Sequence, residues 1–345
     1  MPQPKPAVYA VTEKGLALGR RLADHLGADL FAPARLAACG AAVPFDGLSA
    51  LVAETFADRP AHVFVCACGI AVRAIAPHLR DKTRDPAVVC LDDTGRFAVS
   101  LLSGHLGGAN DLARELAAVI GAVPVVTTAT DAAGAPAIEL LARDLGLAVD
   151  DFAATRRVNA ALAGGGPVAV FDPLGQFCPA DPEAARFFQW VAAPRPPEPD
   201  MPLVVVDWRL GPAAPDRLYL RPRVLVAGIG CRRGAPAADI LGLVGHACRE
   251  HGLARASIGL VASIEAKRHE PGLIEAAQAL GAQLRFFTAE ALATVAAPHP
   301  SATVEKHMGV GSVCEAAAIL ASAGGKLLVA KTRTGFSTVA LCLAA

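Results

Sequence analysis

The stretch SLLSGHLGGAND, residues 100–111, carries residue types that acid–base chemistry uses, at the spacing of a strand-to-helix turn. Ser103 and His105 fall in the turn, and Gly107-Gly108 lets backbone come close to a ligand before a helix that begins near Asn110. An imidazole ordinarily titrates nearest neutrality, so His105 at the carboxyl end of a strand suits a general acid or base. The same residues also have a plain structural use, in which His105 ties a loop and Asn110 or Asp111 caps the helix.

Two other stretches point to anions. In CACGIAVRAIAPHLRDKTRDP, residues 66–86, a strand runs into a Gly-led helix with Arg73 one turn in. The loop after it interleaves Arg80, Lys82 and Arg84 with Asp81 and Asp85, a mixed run that also reads as a solvated surface. In VLVAGIGCRRG, residues 224–234, a strand meets Gly228, Gly230 and Gly234. This approximates the dinucleotide fingerprint, but one residue too many separates the last two glycines. Glu250, at the distance of a ribose-binding acid, falls at a helix end instead of after a second strand. Anion recognition is what remains: close backbone, a helix start, and Arg232 and Arg233 beside it. No P-loop, GxSxG elbow or HExxH occurs, which removes the usual support for ATP hydrolysis, serine-esterase and zincin chemistry.

The elements that must position these groups read as α/β. Short Val-rich runs at residues 8–12, 62–68, 87–93, 96–102 and 123–128 alternate with helical stretches, predicting an open, mostly parallel sheet with helices on both faces. Only the pair turning at Thr94-Gly95 reads as a hairpin. From residue 133 the pattern loosens into helices over 135–145 and 155–162 around GGGPVAVFD. The Pro-dense AAPRPPEPDMP, residues 192–202, is the best linker candidate. A second α/β pattern starts at VLVAGIG and runs to STVALCL. The expected organisation is therefore an N-terminal α/β domain (1–132), a less regular middle segment with a Pro-rich linker (133–222) and a C-terminal α/β domain (223–345).

Composition narrows the class. The 345 residues carry 32 Lys+Arg against 32 Asp+Glu, with 53% hydrophobic and 19% charged residues, a balance opposite to that of disordered chains. Overall neutrality argues against nonspecific binding to nucleic acid. Mean hydropathy is +0.42, yet no uncharged apolar run reaches the ~18 residues of a membrane helix. No secretory signal is visible, so the expected compartment is the cytoplasm. The nine cysteines are scattered without a CxxC pair, which predicts neither disulfides nor structural zinc. The net charge is −3 over residues 1–150, −1 over 151–222 and +4 over 223–345, so neutrality is an average that conceals a basic C-terminal part.

At the level of whole strings, CACGIAVRAIAPHLRDKTRDPAVVCLDDTGRFAVSLLSGHLGGANDLA closely resembles the N-terminal part of the CbiG family of cobalamin biosynthesis, the cobalt-precorrin-5A hydrolases. GIGCRRGA, SIEAKRHEPGLIEAAQALG and GVGSVCEAAAILASAGGKLLVAKTRTGFSTVALC resemble that family's C-terminal domain, which also occurs alone as CobE. Ala235 departs from the pattern at a position where the family often carries a hydroxyl. The resemblance implies a cobalt-containing, ring-contracted tetrapyrrole whose ring-A acetate is closed as a δ-lactone. Water opens the lactone and two carbons leave as acetaldehyde, giving cobalt-precorrin-5B. The cobalt arrives with the substrate, so no cofactor and no protein metal site is expected. The implied partners are the corrinoid itself and neighbouring methyltransferases of the pathway, with no nucleic acid and no membrane.

Set against that chemistry, His105 with Asp92 or Asp93 across the hairpin is the expected general base and orienting acid, with backbone N–H groups at Gly107-Gly108 as oxyanion donors. Glu265 and Lys267 of SIEAKRHE, and Glu305 ahead of the Gly309–Gly311 loop, form a second set. Arg73, Lys82, Arg232, Arg233, Lys267 and Lys331 are the expected clamps on propionate and acetate groups. Ser103, Asn110, Gly228 and Gly230 complete the substrate contacts. The alternative is a protein that binds or hands on a corrinoid without chemistry. The N-terminal match favours the hydrolase, because stand-alone CobE lacks it. A third, blander reading is an α/β dinucleotide enzyme.

Overall fold

The computed structural model describes residues 4–37, 42–81, 84–212, 214–299 and 311–345. They divide into two compact units, residues 1–140 with 162–165, and residues 141–161 with 166–345. Each is described by itself.

The first unit is built on a seven-stranded sheet. Its strands are β1 (Ala7–Ala10), β2 (Asp29–Pro33), β3 (Val43–Phe45), β4 (Ala61–Val65), β5 (Ala87–Leu91), β6 (Phe97–Leu102) and β7 (Val123–Val125), in the order β3-β2-β1-β4-β5-β6-β7. Every neighbouring pair is parallel except β5 with β6. Alternate residues of the Val-rich strands face opposite layers. Val8, Val63, Val65 and Val89 pack under the helices Glu13–Leu26 and Ala109–Ile120, while Tyr9, Phe64, Val88 and Cys90 pack under Leu48–Thr55 and Cys68–Ile75. Burial on both faces is why these strands read as continuous apolar runs.

The second unit holds two five-stranded sheets. The first comprises β8 (Ala148–Val149), β9 (Val168–Phe171), β10 (Phe188–Trp190), β11 (Leu203–Val206) and β12 (Arg217–Arg221), in the order β10-β9-β11-β12-β8, with only β8 antiparallel to its neighbour. This corrects the expectation of a less regular middle segment. It also relocates the Pro-rich 192–202 stretch, which joins β10 to β11 inside this sheet and links no domains. Fold class is accordingly α/β with three mixed, mostly parallel sheets.

The second sheet of this unit comprises β13 (Leu225–Cys231), β14 (Ile258–Ile264), β15 (Gln283–Phe287), β16 (Lys326–Arg333) and β17 (Ser337–Leu343), ordered β15-β14-β13-β17-β16. β13, β14 and β15 are parallel, and β17 is antiparallel to both β13 and β16. Helices Ala237–Glu250 and Pro271–Leu280 cover one face, and Val313–Ala321 the other. Gly228 serves this packing and no ligand. A Cβ there would lie 1.9 Å from the Cys314 carbonyl oxygen and 2.6 Å from the Ala318 nitrogen, so the helix rests directly on the strand backbone.

Among the described residues no helix is long and apolar enough to cross a membrane. Five cysteines, Cys66, Cys90, Cys248, Cys314 and Cys342, are buried small hydrophobes, and none of the described cysteines forms a disulfide.

The Gly228 contact yields a paired test. Gly228→Ala is expected to lower the unfolding free energy by about 3 kcal/mol or more, because the intruding methyl meets rigid backbone. Gly242→Ala, in the interior of the Ala237–Glu250 helix with nothing within 4 Å of the new Cβ, is expected to raise it by roughly 0.5–1 kcal/mol. Urea midpoints of the two variants against the wild type check both signs.

Candidate functional site

The Ser103–Asn110 turn is wound tightly. Ser103 adopts φ 57°, a left-handed conformation that costs a non-glycine residue roughly 1 kcal/mol. A Cβ on Gly107 would come within 2.4 Å of the Ser103 Cβ, and one on Gly104 within 2.6 Å of the Asn110 Oδ1. The turn closes through backbone bonds from Ala109 N to Ser103 O (3.2 Å) and Asn110 N to Gly104 O (3.0 Å). Gly108 N donates to His105 O at 2.9 Å, so this amide is spent within the turn. Of the expected oxyanion pair, only Gly107 keeps its amide. Ser103 Oγ is buried and makes no hydrogen bond among the described residues.

His105 is gripped from both sides. Its Nδ1 is hydrogen-bonded with Glu139 Oε1 (3.2 Å) and its Nε2 with Asp131 Oδ2 (3.0 Å), with the Thr130 hydroxyl 3.1 Å from Nε2. Asp131 is a hub. Its Oδ2 also accepts from Asn110 Nδ2 (3.0 Å) and Thr128 Oγ1 (2.5 Å), and its Oδ1 pairs with Arg114. Ser100 Oγ donates to Asn110 Oδ1 at 2.7 Å, which holds Asn110 inward, buried and away from any capping role. The Glu139 hydrogen bond, against the opposing effect of burial and with help from Asp131, raises the His105 pKa above its ordinary value. For Asp131, burial pushes upward, but the bonds from Thr128, Arg114 and His105 outweigh it and lower the pKa. A carboxylate against each nitrogen favours the doubly protonated ring, the form that donates from both. Both nitrogens of the expected base His105 are thus engaged within the protein.

The expected orienting acids are elsewhere. Asp92 spends its carboxylate on the hairpin, accepting from the Thr94, Arg96 and Phe97 amides at 3.0, 3.0 and 2.8 Å and from the Thr94 hydroxyl. Asp93 receives the Thr12 hydroxyl at 3.4 Å. Both sit at the start of β6 and His105 beyond its end, about 20 Å of strand away at ~3.3 Å per residue. Arg73, exposed and bonded to Gly69 O at 3.0 Å, lies with Asp92 at the carboxyl edge of β4 and β5, opposite His105. Lys82 lies outside the described residues.

In the second unit a cleft of about 310 Å³ opens at the carboxyl ends of β13 and β14 and the β16–β17 turn. Its lining includes Gly230, Arg232, Lys267, Lys331, Arg333 and Phe336, and no carboxylate among the described residues. Lys267 Nζ pairs with Glu270 Oε2 at 3.2 Å, and Glu270 Oε1 accepts the Gly234 amide. That amide, then Lys267, holds the Glu270 pKa below the usual range despite burial. The Arg232, Arg233 and Arg333 guanidinium groups are exposed, and no hydrogen bond occupies them among the described residues. Lys331 Nζ donates to His299 O at 3.2 Å. The catalytic candidate Glu265 is exposed and paired with Arg268 at 3.0 Å, outside the cleft lining. Glu305 lies outside the described residues. Among the described residues no group of three His, Cys, Asp or Glu could hold a metal ion.

The sequence reading missed Thr128, Thr130, Asp131, Glu139 and Glu315. Thr128-x-x-Asp131 matches the spacing of a helix-start box, the one local signal for the first group. Glu315 is the single charge in the apolar helix VCEAAAILA, and a lone acid in such a helix marks a buried, partnered group.

Comparison with known proteins adds the following. Residues 50–131, 136–222 and 225–342 match, in order, the families described as Cobalamin synthesis G N-terminal, Cobalamin biosynthesis central region and Cobalamin synthesis G C-terminus. The cobalt-precorrin-5A hydrolase of Salmonella typhimurium is 37% identical over 337 residues, covering 92% of each chain. That of Priestia megaterium is 31% identical over 302 residues, covering 85% of this chain and 81% of its own. Protein CobE of a Sinorhizobium species is 34% identical over 120 residues, covering 34% of this chain and 78% of its own.

The His105 grip has a measurable signature. Because its folded pKa is raised above 6.5, the grip stabilises the fold fully below that value and the contribution is lost as pH climbs through the raised one. Glu139→Gln is expected to shift the His105 imidazole titration downward by NMR. The stability deficit of the variant is expected to be larger at pH 6 than at pH 9.

Proposed function

The chain belongs to the cobalamin-biosynthesis G family, and from that premise we infer that it is a cobalt-precorrin-5A hydrolase. The observation that carries the reading at the level of a site is the cationic cleft of the second unit. A lining of two guanidinium and two ammonium groups beside an exposed phenyl ring matches an apolar macrocycle rimmed with propionate and acetate groups. Guanidinium groups left without protein partners are preorganised to take carboxylates at low cost.

The reaction has two stages. Water adds to the lactone carbonyl, the ring C–O bond breaks, and the acetate is freed with a hydroxyl on the two-carbon unit. That hydroxyl then gives up its proton, the carbon–carbon bond breaks, acetaldehyde leaves, and the macrocycle keeps the electron pair and takes a proton. The second stage needs a proton donor. His105, held as an imidazolium between Asp131 and Glu139, is that kind of group, and Gly107 offers its amide beside it. The domain boundaries near residues 132 and 222 belong to the same proposal.

Incubating the purified chain with cobalt-precorrin-5A and trapping acetaldehyde tests the activity, and a chain that binds the corrinoid but releases none overturns it in favour of a carrier. Arg232→Ala and Arg333→Ala are each expected to raise KM about tenfold with little change in kcat, the cost of one charge-assisted hydrogen bond. His105→Ala is expected to lower kcat by about a hundredfold or more. Full acetaldehyde release by that variant removes His105 from the mechanism.

A further inference from the structure

The lactone-opening stage needs a base, and His105 has no free nitrogen to serve as one. The second unit carries an imidazole with only one nitrogen engaged among the described residues. Glu315, fully buried on the Val313–Ala321 helix, accepts the His299 amide at 2.9 Å and His299 Nδ1 at 2.8 Å. It also accepts the Lys331 amide at 3.0 Å. Burial alone would push this carboxyl up, but the Lys331 amide and the two His299 donors outweigh it and keep the group ionised.

An Nδ1–H committed to a carboxylate leaves the lone pair on Nε2. The His299 side chain is 60% exposed, and its Nε2 makes no hydrogen bond among the described residues. A buried carboxylate that fixes the tautomer and aim of an exposed imidazole is the arrangement that general-base sites share. The dyad is tied to the cleft by two links. Lys331, a lining residue, bonds the His299 carbonyl through its ammonium and Glu315 through its amide. Ser312, another lining residue, precedes Glu315 by one helical turn.

We propose that His299, held by Glu315 and joined to the cationic cleft through Lys331, is the general base that activates water for lactone opening, an assignment that rests on the hydrolase reading. His299 Nε2 takes one proton from water as the oxygen bonds to the lactone carbonyl carbon. The electron pair moves to the carbonyl oxygen, where Lys331 and the neighbouring guanidinium groups stabilise the charge. As the tetrahedral intermediate collapses, the ring C–O bond breaks and the imidazolium returns its proton to the departing oxygen. Lactone and water become acid and alcohol, with no other reactant. Glu315 is a positioning residue that touches no substrate.

The test uses the full chain and cobalt-precorrin-5A, following the gain of one water by mass spectrometry and acetaldehyde by trapping. His299→Ala removes the imidazole and leaves the backbone contacts to Glu315 and Lys331 in place. It is expected to lower kcat for lactone opening by 10²–10⁴ with KM within about twofold, and added imidazole is expected to restore part of the rate. Glu315→Gln is expected to fall in the same direction, with its folding verified by thermal melting. Wild-type kcat in His299→Ala, or a loss that imidazole does not rescue, overturns the dyad while the hydrolase reading stands. A wild-type chain that opens no lactone overturns the hydrolase reading, and the dyad with it.

Discussion

The antiparallel pairing of β5 with β6 decides which loops of the N-terminal sheet can share chemistry. Only residues 92–96 separate the two strands, far fewer than the dozen or so that a parallel crossover needs, so the chain has to turn back on itself. Asp92 fixes that turn by collecting three backbone amides. After the reversal, β6 and β7 run parallel, joined by the Ala109–Ile120 helix. Their carboxyl ends therefore lie side by side. One end supplies Ser103 to Asn110 and the other Thr128 to Asp131. The groups after β4 and β5, Arg73 and Asp92 among them, are carried to the opposite edge.

Burying carboxylates is the second recurring device. A carboxylate taken out of water must recover its lost hydration from fixed donors. In each case here the recovery positions something else. Asp131 orders Asn110, Thr128 and His105; Glu270 joins Lys267 to the Gly234 amide; Glu315 joins His299 to the strand that bears Lys331. Arg221 shows the converse in β12, a buried cation satisfied by Asp150 at 2.7 Å and by the carbonyls of Asp207 and Arg209. These charges add little net stability when weighed against apolar packing. Their effect is geometric, since a donor set that must be complete allows few alternative arrangements.

Local pattern carried much of the fold. The Val-rich strands, the hairpin at Thr94-Gly95 and the tight glycine turn after Leu102 are all stated by neighbouring residues. β8, β10 and β12 were not, because two- to five-residue strands with exposed members such as Trp190 show too little alternation to separate from loop. The site was less legible for a different reason. His105 was recognisable by type and turn, but its partners lie 26 and 34 residues onward, and strand direction alone brings them back. Asp92 and Asp93 looked nearer in the sequence and are a strand's length away. That Arg232 and Lys267 line one cleft was easier to read, since parallel β13 and β14 deliver their following loops to one edge without any reversal between them.

Besides the exposed His25–Glu115 pair, two histidines among the described residues meet carboxylates, and their hydrogen-bond partners separate them. At His105 two acids face the two ring nitrogens, so neither nitrogen is open without breaking the grip. At His299 one acid faces one nitrogen, and the other makes no hydrogen bond among the described residues. Neither can take the other's part without a change of partners. A hydrolysis followed by carbon–carbon cleavage calls first for a proton acceptor and then for a proton donor. A single imidazole cycling between the two states would have to lose and regain its second carboxylate in each turnover.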